Sequence, residues 1–126
     1  MILICHFDIP ANDVKTIKTF YGGVFGWTFE RDEGSPDCWS IGYGSSGKSE
    51  PITGGIVPRS APSQPIGCHF LVSSIDEFSV KIQNLGGTVF VPKTAVPGKG
   101  YYACCLDPEN NYFVIWESDE EAGKRD

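Results

Sequence analysis

The stretch ILICHFDI, from Ile2 to Ile9, is dense in apolar and β-branched residues and predicts a first strand that Pro10 stops. Asn12 and Asp13 offer capping side chains. Val14, Ile17, Phe20, Tyr21 and Val24 then recur at helical spacing, an apolar stripe on one face. Gly22-Gly23 weakens that helix and Gly26 predicts its end. Strands are predicted over 27–31, 38–43 and 52–57, separated by the turn DEGSPD and the loop GSSGKSEP. After the connector PRSAPSQP the same order starts again. Residues 67–72 predict a strand, and Ser74 caps a helix whose apolar positions are Ile75, Phe78, Ile82 and Leu85. Gly86-Gly87 ends that helix. Strands are predicted over 88–91, 101–106 and 112–117, with Pro92 to Gly100 as a loop and DPENN as a turn. The charged tail SDEEAGKRD reads as frayed.

The pattern is βαβββ, connector, βαβββ. This internal repeat divides a single domain, residues 1–126, into modules 1–57 and 67–117 with a linker at 58–66. Each module has one sheet whose apolar face is covered by one helix, so the fold class is α+β.

Charge and composition act mainly by exclusion. The net charge of −6 argues against nucleic-acid or anionic-membrane partners, which need a basic face. No apolar run is long enough to span a bilayer. The start, MILICHFDIP, lacks a basic region and a small-residue cleavage site, so it reads as a strand rather than a signal peptide. The five cysteines are odd in number and none forms a C-x-x-C pair, which fits a reduced, cytoplasmic setting.

The candidate chemistry lies at the two histidines, His6 and His69. Each follows a cysteine and precedes a phenylalanine on the first strand of its module. Strand alternation puts Asp8 on the same face as His6, so a hydrogen bond between them is one expectation. GSSGK lacks the spacing and helix start of a phosphate cradle. Neither histidine has a nucleophile that the sequence can locate.

Two strings, HFDIPANDVKTIKTFYGGVFGW and IDEFSVKIQNLGGTVFVPKTAVPGKGYYACCLDPENNYFVIWE, carry a resemblance that extends over residues 3–117. In the second, a helix ending in GG leads to V-x-V-P, and a DPE-type turn leads to a strand ending in WE. The chain resembles the vicinal oxygen chelate superfamily, which includes glyoxalase I, extradiol dioxygenases and bleomycin-resistance proteins. The resemblance implies paired βαβββ modules curled into a half-open barrel, often completed in a homodimer. It also implies metal ligands from the first and last strands of each module. His6 matches the first ligand position. The second falls near Thr53 to Ile56, where PITGGIV offers no carboxylate, imidazole or amide. Spacing from Gly86 puts the third at Gly67, which leaves His69 displaced by about 7 Å along the strand. The fourth falls at Val114, and Glu117 has the opposite parity. His6 and His69 are therefore the only metal candidates, a divalent metal is disfavoured, and no cofactor is predicted.

With His6 and Gly67 facing inward, alternation turns Ile4, Asp8, His69, Leu71, Tyr112, Val114 and Trp116 inward as well. Cys5, Phe7, Cys68, Phe70, Phe113 and Ile115 would face the helices. The inward set suits a small-molecule pocket. The implied function is a glyoxalase-like small-molecule enzyme of lyase or isomerase type, with His6 as a general base. The alternative is a non-catalytic protein that binds or sequesters a small molecule, as bleomycin-resistance proteins do.

Overall fold

A computed structural model describes residues 2–34, 37–43 and 52–123. The predicted loop GSSGKSEP and the middle of the turn DEGSPD lie outside the described residues. The chain forms two compact units: His6–Ile66, and Gly67–Asp126 together with Met1–Cys5.

The first unit contains β1 (Ile4–Ala11, whose first two residues cluster with the second unit), α1 (Val14–Phe25), β2 (Thr28–Arg31), β3 (Trp39–Gly42) and β4 (Thr53–Pro58). Its strand order is β2-β3-β4-β1, with β1 and β4 parallel and the other pairs antiparallel. Asp13 caps α1 by accepting from the backbone N–H and the hydroxyl of Thr16. These hydrogen bonds hold the Asp13 carboxyl below the ordinary carboxylate range. The helix runs through Gly22-Gly23 and stops at Gly26, whose φ of 72° closes it in the left-handed region. Ile9, Ala11, Ile41 and Ile56 are buried in this unit. Trp27 stacks on Tyr21 and meets Phe7, Phe25 and Tyr43.

Pro10 does not stop β1. The ladder with β4 continues to Ala11 opposite Pro58, and Pro10 offers its carbonyl to Arg59. A proline is tolerated there because the strand is about to end and its missing N–H costs little.

The second unit contains β5 (Gly67–Leu71), α2 (Ile75–Asn84), β6 (Thr88–Val96), β7 (Gly100–Leu106) and β8 (Tyr112–Ser118). The order β5-β8-β7-β6 repeats that of the first unit, again with the first and last strands parallel. Val72, Ile75, Ala103, Cys105 and Ile115 form its buried core, with Phe78, Ile82 and Phe113 packed against it. Ser74 caps α2 through the Glu77 N–H, and the Glu117 carboxylate accepts from the Ile75 N–H at 2.8 Å. Glu117 therefore serves the helix start. The DPENN turn closes on Asp107, which accepts from the backbone N–H groups of Glu109 and Asn111.

Two expectations change in this unit. Pro92 to Gly100 is not a loop, because β6 runs through Pro92 to Val96 and leaves only 97–99 as a turn. The register shifts on both sides of Val91, so the proline sits at an irregularity on an outer strand, where no ladder bond is lost. The tail is not frayed over 119–123 either. Asp119 donates to the Lys99 carbonyl, Gly98 donates to the Ala122 carbonyl, and Ala122 is fully buried. No helix of the described residues is long and apolar enough to cross a membrane.

Candidate functional site

In the first unit, β1 and β4 bring His6, Asp8 and Thr53 together. His6 lies directly opposite Thr53 in the parallel ladder, and Asp8 opposite Gly55. His6 Nε2 is 2.8 Å from Asp8 Oδ1, and His6 Nδ1 is 2.5 Å from Thr53 Oγ1. An ionised carboxylate only accepts, so Nε2 carries the proton and donates it to Asp8. In the neutral ring Nδ1 is then the acceptor, and the Thr53 hydroxyl donates to it. Both ring nitrogens are thus engaged, and Thr53, beside Nδ1, is exposed.

The glycines of PITGGIV make this packing possible. A Cβ on Gly55 would lie 2.9 Å from Asp8 Oδ1, and one on Gly54 would lie 2.6 Å from the Phe7 ring on the other face. Asp8, Gly55, Ser40 and Glu30 form one row across the four strands, and the room over Gly55 is what the Asp8 carboxylate fills. Thr53 and Gly55 carry no signal as metal ligands. Their signal is of another kind, because adjacent glycines inside a strand mark a close approach of other groups.

The remaining predicted residues, His69, Leu71, Tyr112, Val114 and Trp116, belong to the second unit. His69 stands opposite Val114 in the β5–β8 ladder. The Cys-His-Phe triplets of the two units also align, which puts His69 at the position in β5 that His6 holds in β1. Gly67 is a packing glycine: a Cβ there would lie 2.7 Å from the Tyr112 ring. Tyr112 donates to Cys104 Sγ at 3.5 Å and meets the Phe90 ring, Val114 is buried, and Trp116 Nε1 donates to Ser118. Leu71 is exposed. On the other face of the sheet, beside α2, a hollow of about 350 Å³ is lined by Ile2, Phe70, Val72, Phe78, Ile82, Phe113 and Ile115, with no polar lining. Burial raises the Cys104 thiol. It pushes Cys105 up to about 11, helped by the neighbouring Cys104.

These residues do not fit the metal centre that the fold suggests. Both nitrogens of His6 are turned to Asp8 and Thr53, and the strand position opposite His69 is an aliphatic valine. Among the described residues, no three His, Cys, Asp or Glu side chains are grouped to hold an ion.

No family model matches the sequence, and no curated protein matches it either. Solved structures do. Methylmalonyl-CoA epimerase from Mycobacterium tuberculosis superposes with a TM-score of 0.63 at 12% identity, over 92% of this chain and 87% of that one. A glyoxalase/bleomycin resistance protein/dioxygenase superfamily member from Vibrio splendidus 12B01 gives 0.62 at 7% identity, over 94% and 100%. The 2,3-dioxygenase LapB from Pseudomonas sp. KL28 gives 0.62 at 13% identity, over 98% of this chain and 45% of that one. At such identities the likeness is one of fold, and with its repeated βαβββ order this chain has the fold of the glyoxalase/bleomycin resistance protein/dioxygenase superfamily.

Proposed function

We propose that the chain is a small-molecule enzyme of lyase or isomerase type that moves a proton at His6 without a resident metal. The observation that carries this reading is the His6 Nε2 to Asp8 Oδ1 hydrogen bond. It orients the ring, holds one tautomer, and stabilises the imidazolium that forms when Nδ1 takes up a proton. Asp8 thus orients the ring, and His6 is the base. A cytoplasmic location and a homodimer belong to the same reading. The free thiols of Cys68, Cys104 and Cys105 support the first, and the exposed apolar side chains Phe20, Val24 and Phe25 on α1 support the second.

The test is deuterium uptake from heavy water at the carbon beside the carbonyl, followed by NMR over a panel of small α-hydroxy ketones, α-keto acids and acyl thioesters. Uptake that is unchanged by EDTA and lost in His6→Gln is expected. Uptake that survives His6→Gln removes this reading. The apolar hollow beside α2 favours a second one, sequestration of a hydrophobic compound, for which a compound bound tightly and returned unchanged would speak.

A further inference from the structure

We infer that Thr53 is a nucleophile, activated by the His6–Asp8 pair for acyl transfer from small esters or thioesters to water. The inference shares with the proposed function only the role of His6 as a base. It rests on three placements within one unit. Thr53 Oγ1 is 2.5 Å from His6 Nδ1, His6 Nε2 is 2.8 Å from Asp8 Oδ1, and Thr53 is exposed while the pair behind it is partly covered. This is the order nucleophile, base, orienting carboxylate, with each member within hydrogen-bond reach of the next. The ring nitrogens are swapped relative to the usual serine triad, which changes nothing in the proton path.

Thr53 Oγ1 attacks the acyl carbonyl carbon and its proton passes to His6 Nδ1. The tetrahedral adduct collapses, the bond from carbon to the leaving oxygen or sulfur breaks, and the leaving group takes the proton from Nδ1. Water then attacks the Thr53 ester and gives a proton to Nδ1. Collapse releases the carboxylic acid, and Nδ1 returns the proton to Thr53 Oγ1. Asp8 stabilises the imidazolium in both halves.

The test uses the full chain with 4-nitrophenyl acetate and with a short-chain acyl thioester. Acid-quenched protein is digested and the acyl group mapped by mass spectrometry, alongside product release in Thr53→Ser, Thr53→Val, Asp8→Asn and His6→Gln. The expected result is an acyl group on Thr53, or turnover kept in Thr53→Ser and lost in Thr53→Val. Asp8→Asn should be slowed by about 100-fold or more, because the amide favours the wrong tautomer. Acyl groups found only on lysine or cysteine, no acylation or turnover in the unmodified chain, or turnover that persists in Thr53→Val would each overturn the inference. Mapping on the unmodified chain decides the matter even where a variant does not fold. Deuterium uptake without acylation would remove this inference and leave the proposed function standing. Acylation of Thr53 without uptake would do the reverse.

Discussion

Asp8 Oδ1 sits 2.9 Å from the point where a Cβ on Gly55 would stand, so the carboxylate that orients His6 is seated directly over a glycine of the neighbouring strand. Gly55→Ala therefore cannot be accommodated without moving Asp8, since the same Cβ would be 3.4 Å from the Trp39 carbonyl. The variant should lose about 1–3 kcal/mol in urea unfolding. Any activity should fall as it does in Asp8→Asn. A Gly55→Ala protein with full activity would show that the pair is not seated as described.

Glu117 is expected to behave as a structural residue. Its carboxylate accepts from the Ile75 N–H at the start of α2, and Ile75 is fully buried. Glu117→Ala should cost about 1–3 kcal/mol in unfolding, because it strips a helix-terminal N–H of its acceptor. Turnover per folded molecule should not change. Loss of turnover at unchanged stability would give Glu117 a role in the chemistry.

Cys105 should resist alkylation. Its thiol is fully buried and pushed up to about 11 from an ordinary value near 9. The thiolate that reacts is thus scarce in the folded protein at neutral pH. A folded pKa above the unfolded one stabilises the fold fully below pH 9, and that contribution fades as the pH rises toward about 11. Mass spectrometry after iodoacetamide at neutral pH should find Cys105 unmodified until denaturant is added. Rapid labelling in the folded state would contradict the packing of β7.

Metal removal should leave the protein as it was. Elemental analysis of the purified chain is expected to find no stoichiometric nickel, zinc, iron or manganese, and dialysis against a chelator should not shift its melting temperature. A bound divalent ion on both His6 and His69 would mean that the hydrogen bonds of His6 are exchanged for coordination.

How much of this was legible in the sequence differs residue by residue. The helices could be read because their ends are local chemistry: Asp13 and Ser74 cap them, and Gly26 closes the first in the left-handed region. Strand ends were less legible, because a proline is a stop only where the ladder needs its N–H. At Pro10 and Pro92 it does not, and both strands run on. The pairing of His6 with Asp8 follows from simple alternation. Its contact with Thr53 does not, because it depends on how β4 aligns with β1, and no periodicity carries a parallel register. The same gap applies in the second unit, where counting along the chain cannot tell that His69 lies opposite Val114.

The run of β6 through Pro92 bears on how this protein avoids fibre formation. β6 is an outer strand of nine residues, TVFVPKTAV, and its β-branched content would otherwise invite another chain to add to its open side. Pro92 removes a donor from that side, and the register shifts around Val91 twist the edge away from a flat template. A Pro92→Val variant would fold onto the same core and yet be the form that aggregates on concentration, because it offers partner chains an unbroken edge.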